Sequence, residues 1–167
     1  IGLTGKELPD AVNADDEVLA LLEKIRGLAA VKLGLIDDYQ KSAWETPGIP
    51  KMAFVAQPKE YKTMDGETVT QDSIDLVSRM MSMQKANPSY AMTGAMCTAA
   101  AAVVPDSIVN QVCSEHMDTQ YIRSGHPCGI LECGVDFQQH NKIPEIKDTF
   151  GLRTANLIME GVARVRF

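Results

Sequence analysis

Apolar residues recur at helical spacing from Val18 to Ala29. Val18, Leu21, Leu22, Ile25, Leu28 and Ala29 share one face, and Glu17, Glu23, Lys24 and Arg26 lie on the other. Asn13, Asp15 and Asp16 are helix-starting residues and Gly34 is a stop, which predicts an amphipathic surface helix over about 16–33. Residues 1–12 read as an irregular lead-in. Residues 37–50 are polar and contain Pro47, Gly48 and Pro50, so they read as a loop in which Trp44 acts as a packing plug.

The pattern then shifts to short extended runs. Met52-Ala53-Phe54-Val55 is a buried strand within 51–57, and Asp65-Gly66 marks a turn between two short extended pieces. Over 73–83, Ile74, Leu76 and Met80 occupy one parity and Val77, Met81 and Met83 the other, which favours a strand covered on both faces, with a helix as the alternative. Residues 95–104 carry one polar side chain, Thr98, among alanines, Met96, Cys97, Val103 and Val104. Alanine favours helix, and a helix this short with no solvated face is a core helix. Pro105 ends it. Further extended runs are expected at 107–112, 120–123, 129–137, 145–150 and 154–166. The sum is an α+β fold: a curved antiparallel sheet or barrel wrapped around a central buried helix, with one amphipathic helix on its surface. Residues 13–167 form one domain after the lead-in.

Composition narrows the choice of partners. With 167 residues, 16 basic against 22 acidic and a net charge of −6, the chain is long enough for one core and too acidic for nucleic acid or an anionic membrane surface. Its apolar runs are far shorter than the ~20 residues of a spanning helix. The chain starts at Ile1, and Ile1–Gly5 has no signal-peptide character. This start suggests a processed chain or part of a longer one. Four cysteines, Cys97, Cys113, Cys128 and Cys133, are too few for a disulfide scaffold and read as buried, reduced thiols of a cytoplasmic protein. Cys133 falls on an apolar strand face with Leu131, Val135 and Phe137. A zinc reading of Cys113, His116, Cys128 and Cys133 lacks a tight Cys-x2-Cys pair, and no metal is assigned.

Four places carry candidate chemistry. Thr93-Gly94 precedes the buried helix, whose first turn, from Ala95, holds no acid. Free amides and the helix dipole there suit a carboxylate or phosphate, with Gly94 letting the ligand approach; alternatively Thr93 is a plain cap. Ser124-Gly125-His126-Pro127-Cys128-Gly129 forms a tight loop with exposed amides, in which Cys128 is an acid/base candidate. A structural turn is the alternative. Ser82-Met83-Gln84-Lys85 offers a hydroxyl and an ammonium for an anion, or is a solvated loop. Arg153-Thr154 offers a guanidinium for a carboxylate, or for Glu160. No phosphate loop, dinucleotide fingerprint or nucleophile elbow is present.

Taken in order, Ser78-Arg79-Met80-Met81-Ser82-Met83, Tyr90-Ala91-Met92-Thr93-Gly94-Ala95, Ile122-Arg123-Ser124-Gly125-His126-Pro127-Cys128-Gly129 and Arg153-Thr154-Ala155-x-x-x-Met159-Glu160-Gly161 resemble one family. It is the methylaconitate isomerase family, which includes aconitate and methylitaconate double-bond isomerases and oxalomesaconate tautomerase. Leu3-Thr4-Gly5-Lys6-Glu7-Leu8-Pro9 resembles that family's inter-domain stretch. The resemblance implies a diaminopimelate epimerase-like domain and makes this chain the second half of a two-domain, cofactor-independent isomerase. The partners implied are a small unsaturated di- or tricarboxylate and the N-terminal half of the same enzyme, which holds the main acid/base pair. It leaves the oligomeric state open. The substrate-binding residues implied are Ser82, Met83, Lys85, Thr93, Gly94, Ala95, His126, Pro127, Cys128 and Gly129. Ala91 stands where related epimerases carry a second catalytic Cys, which disfavours the alternative of an amino-acid racemase or epimerase. A non-catalytic anion-binding domain is the other alternative for the half alone. Gln84-Lys85-Ala86-Asn87-Pro88 departs from the family's basic loop, favouring a dicarboxylate such as methylitaconate, and Cys128 stands where Ser is frequent.

Overall fold

The computed structural model describes residues 2–140, 143–153, 157–162, 164 and 165. The predicted surface helix is present as α2 (Asp16–Lys32), with the Asp15 carboxylate accepting the Val18 N–H as its cap. Its buried stripe is Leu22, Arg26, Gly27 and Ala30, while Leu21, Ile25 and Leu28 are exposed. An arginine displaces leucine from the inner face because it has carbonyls to satisfy. Arg26 donates to the Ser42, Thr46 and Ile49 carbonyls and forms a two-bond pair with Glu23. These bonds order the segment expected to be a loop. It contains a 3₁₀ turn (Tyr39–Lys41) and α3 (Ser42–Glu45), and Trp44 is 69% exposed rather than a plug. The lead-in also departs from expectation. Pro9 starts a short helix, α1 (Pro9–Asn13), and the Asn13 amide pairs with both backbone groups of Ala86 instead of starting α2.

The strands are β1 (Met52–Ala56), β2 (Tyr61–Lys62), β3 (Thr68–Val69), β4 (Leu76–Ser82), β5 (Lys85–Ala86), β6 (Tyr121–His126), β7 (Gly129–His140) and β8 (Ile143–Gly151). The main sheet runs β1-β4-β6-β7-β8 with β5 also on β4, and β2-β3 is a separate hairpin about the Asp65-Gly66 turn. The sheet is not wholly antiparallel. β4 and β6 pair in parallel through Leu76↔Ser124 and Val77↔Gly125. Parallel pairing needs a crossover, and it is supplied by α4 (Met92–Ala102) and α5 (Ile108–Val112). The 107–112 run expected to be extended is therefore helical, with the Ser107 hydroxyl capping Asn110 N–H. The described residues of the expected 154–166 strand, 157–162, 164 and 165, form no strand; Thr154 and Ala155 lie outside the described residues.

β4 is buried on both faces, as its pattern predicted. Leu76 and Met80 join Ala95, Ala99, Ala102, Ile122, Cys133 and Val135 around α4. Met81, on the opposite face, packs with Phe54, Leu22 and Val12 under α1 and α2, and Val77 packs with Tyr61, Val69 and Ile74. The sheet curls into a half-barrel whose β6, β7 and β8 cover α4 on one side. The other side of α4 stays open: Thr93 and Cys97 are exposed, so this core helix is not enclosed all round. Short alanines are what let it lie so close to the strands.

The start of β4 is clamped by charge. Asp75 is fully buried and accepts from Arg123 N, Nε and Nη2 at 2.7, 3.1 and 2.8 Å. Its backbone N–H donates to the Arg123 carbonyl and its carbonyl accepts Ser114 N–H. Hydrogen bonding to Asp75 raises the Arg123 pKa.

Candidate functional site

The central helix begins three residues earlier than its apolar run suggests, with Ala91 as its N-cap in extended backbone and no side-chain cap. Thr93 and Gly94 thus lie inside the first turn, and Thr93 caps nothing. The Ala95 N–H is already donated to the Ala91 carbonyl, and Ala95 itself is buried. The amides of Met92, Thr93 and Gly94 find no acceptor among the described residues, and no acid sits in the turn. Three N–H groups and an uncompensated dipole end remain for an anion. Gly94 serves packing rather than ligand approach: a Cβ there would strike the buried Met80 side chain.

The second group is the β6–β7 turn. His126 and Gly129 pair across it, leaving Pro127 and Cys128 as the two turn residues. The expected nest of exposed amides is not formed. Pro127 has no N–H and is buried, and Cys128 N–H turns inward to His126 Nδ1 at 3.3 Å. The Cys128 side chain is exposed, its thiol donating to the Pro88 carbonyl at 3.0 Å. What the turn presents is a largely buried imidazole and an exposed thiol. Burial first, and the Arg79 charge second, hold the His126 pKa below the usual 6.5. The β2–β3 hairpin holds the turn from behind. The Tyr61 hydroxyl lies 2.8 and 2.9 Å from the His126 and Gly129 carbonyls, and Met64 N–H donates to the Pro127 carbonyl.

Tyr90 joins these two groups. Its ring lies 6.3 Å from the His126 ring, and its hydroxyl bonds Thr98 Oγ1 at 2.7 Å, which donates to the Gly94 carbonyl. Burial raises the Tyr90 pKa, keeping the phenol a donor.

Ser82, Met83 and Lys85 form a different feature. They are the tip of a β4–β5 hairpin closed by Met83 and Gln84, both in left-handed backbone with φ of 48° and 64°. Gln84 Nε2 donates to the Pro47 carbonyl, and no hydrogen bond or ion pair among the described residues ties this tip to α4 or the turn. Arg153 is exposed and forms no ion pair with Glu160 among the described residues. Two of the four sequence candidates are brought together.

Beside the first turn of α4 a cavity of about 440 Å³ is lined by Lys51, Met52, Met80, Thr93, Cys97 and Thr98. This is the size range of small-ligand pockets. A cavity of about 470 Å³ lined by Gln57, Asp72, Cys113, His116 and Arg123 shares no residue with it. Burial, with Asp75 as a second cause, pushes the Cys113 thiol up to about 11. The four thiols are free, but Cys97 and Cys128 are exposed, against the expectation of burial; Cys133 is buried beside Val135 as expected. Among the described residues no three His, Cys, Asp or Glu side chains gather as a metal site, and no helix is long and apolar enough to cross a membrane. Tyr61 and Lys51 were not singled out from sequence, Arg79 and Tyr90 stood only within the quoted motifs, and Cys97 only among the reduced thiols. Only Arg79 carried a signal, as a charge in the middle of a buried strand.

Fold and site define an α+β half-barrel whose candidate chemistry lies in helix amides, a histidine and a thiol. The chain belongs to the PrpF protein family, which it matches over residues 1–166. It is 37% identical to the 3-methylitaconate isomerase of Eubacterium barkeri over 166 residues, 99% of this chain and 43% of that protein. It is 36% identical to the 2-methyl-aconitate isomerase of Shewanella oneidensis over 165 residues, 99% of this chain and 41% of that protein. A crystal structure of methylitaconate-delta-isomerase superposes with a TM-score of 0.79 at 35% identity, covering 90% of this chain and 40% of that one. The resemblance read from the four motifs is borne out. The chain spans about two-fifths of the length of the curated relatives it matches.

Proposed function

We propose that this chain is the substrate-binding half of an isomerase that moves a C=C bond within a small unsaturated polycarboxylate. The half-barrel is read as a diaminopimelate epimerase-like domain facing an N-terminal half that carries the principal acid and base. In such a reaction a base takes an allylic proton from carbon, the electron pair delocalises into a dienolate on the neighbouring carboxylate, and an acid returns a proton at the far allylic carbon. The chemistry calls for no cofactor, but it calls for donors aimed at the oxygens where charge collects. The amides of Met92, Thr93 and Gly94 take that role, with His126 as a further donor and Cys128 as a secondary acid/base candidate. Ser82, Met83 and Lys85 form an outer tip that orients a second carboxylate. The four free thiols fit a reducing compartment such as the cytoplasm.

The observation that carries this reading is the acid-free start of α4, joined through Tyr90 to His126, in a chain whose relatives named isomerases match it over 99% of its length. The test is an ultraviolet-absorbance screen of methylitaconate, methylaconitate and aconitate, with the chain joined to an N-terminal half from the family. Conversion of one of these acids is expected, and no turnover by this chain alone. Exchange of an amino-acid α-proton instead would turn the assignment to an epimerase.

A further inference from the structure

His126 is held by groups that the reading above does not use. Arg79 projects from β4 and is 1% exposed. Its Nε donates to the Glu7 carbonyl at 2.8 Å and its Nη1 to the Ser78 and Gly125 carbonyls at 2.9 and 3.3 Å, while Nη2 has no hydrogen-bond partner among the described residues. The guanidinium lies 4.9 Å from the Tyr61 ring centroid. A cation on a ring face in a desolvated site fixes the ring firmly. The Tyr61 hydroxyl then spans the carbonyls at both ends of the turn, His126 and Gly129. With the turn so fixed, Cys128 N–H meets His126 Nδ1. A ring nitrogen that accepts a hydrogen bond carries the lone pair, so the proton of the neutral imidazole is on Nε2. Nε2 itself makes no hydrogen bond among the described residues.

We propose that Tyr61, braced on Arg79, is a positioning residue that locks His126 in the Nε2–H tautomer, presenting that N–H to a substrate carboxylate. The carboxylate half of this proposal rests on the turn belonging to the substrate site. Among the described residues the groups acting on the imidazole are the Tyr90 ring ahead of α4, the Cys128 N–H in the turn and the Arg79 charge from β4, none of them a carboxylate, while Tyr61 from β2 holds the His126 carbonyl. The Glu7 carboxylate, near Arg79, is committed to Thr4 and Gly5. Burial and the Arg79 charge lower the His126 pKa, which keeps the ring neutral near pH 7. A neutral ring in this tautomer is a donor, not a proton reservoir, so His126 binds and does not titrate during turnover.

The experiment is imidazole ¹⁵N NMR of the protein, with His126 assigned by comparison with His126→Gln and with itaconate as the dicarboxylate probe. Wild type is expected to show the Nε2–H pattern at pH 7.5 and a shift of that nitrogen on adding itaconate. Tyr61→Phe keeps the ring over Arg79 and removes the hydroxyl; mixed tautomers and roughly tenfold weaker itaconate binding are expected. Arg79→Met is expected to raise the His126 titration midpoint; if that variant does not fold, Tyr61→Phe alone decides. An unchanged tautomer pattern in Tyr61→Phe overturns the lock. A wild-type His126 resonance that ignores itaconate overturns the carboxylate half and removes the turn from the proposed substrate site, while the lock is still read from Tyr61→Phe.

Discussion

Gly27 shows how a residue's context outweighs its propensity. In an isolated helix, replacing it by alanine gains about 1 kcal/mol. Here a Cβ would lie 2.6 Å from the Tyr39 carbonyl and 2.7 Å from Ser42 Oγ, against the segment that Arg26 holds. Backbone cannot swing aside, and overpacking of this kind costs about 1–3 kcal/mol. Gly27→Ala is therefore expected to destabilise by up to about 2 kcal/mol net, seen as a lower urea midpoint at unchanged slope. A higher midpoint would show that the 39–42 segment yields freely. The same scale explains what sequence hid. Arg26 read as a solvated charge because the carbonyls it satisfies lie 16 to 23 residues away. Tyr61 gave no signal, since its partners lie 65 and 68 residues away.

At the scale of the element, α4 invites a substitution whose effects on stability and binding run in opposite directions. Thr93 is exposed in the first turn, where a carboxylate complements the dipole by about 0.3–1 kcal/mol. Thr93→Asp should raise the thermal midpoint slightly while weakening binding of a carboxylate substrate, read as a higher KM in the joined enzyme. An unchanged KM would make the helix start a plain terminus. Acidification acts on other elements. The Glu7 carboxyl is raised by burial, but its bonds from Thr4 and Gly5 outweigh this and hold it below 4.5; Glu23 is likewise raised by burial and lowered further by Arg26 and Ser42. Their stabilisation is complete above pH 4.5 and is lost as pH falls through the depressed folded values. His126, with its folded pKa below 6.5, binds fewer protons folded than unfolded in the interval beneath 6.5, so stability also falls there as pH drops. Urea midpoints against pH should decline in two stages, and His126→Gln should remove the upper one.

The strand and helix types that follow from periodicity were legible over α2, β1, β4, β7, β8 and α4, where one pattern runs through a whole element. The misread pieces are short. α1, α3 and α5 have five, four and five residues, too few for a 3.6-residue period to register, and tertiary partners decide them. For the site, residue identity was readable and direction was not. His126 and the α4 start stood out, but that Cys128 N–H faces inward and Gly94 faces Met80 depends on contacts across the fold.

The parallel seam between β4 and β6 matters for the whole molecule. Asp75→Asn leaves Arg123 without its carboxylate and weakens three hydrogen bonds to a buried group, an expected loss of roughly 2–3 kcal/mol, measurable by chemical denaturation. The seam itself is only two residue pairs wide, with that clamp at one end. On either side lie strands joined by much longer antiparallel ladders, β1 with β4 and β6 with β7 and β8. Such a molecule breathes along its narrowest line of bonds. The amides of Asp75 and Arg123 are then expected to exchange with deuterium ahead of those deep in the β6–β7 ladder, and each such opening parts Arg79 on β4 from the Gly125 carbonyl on β6.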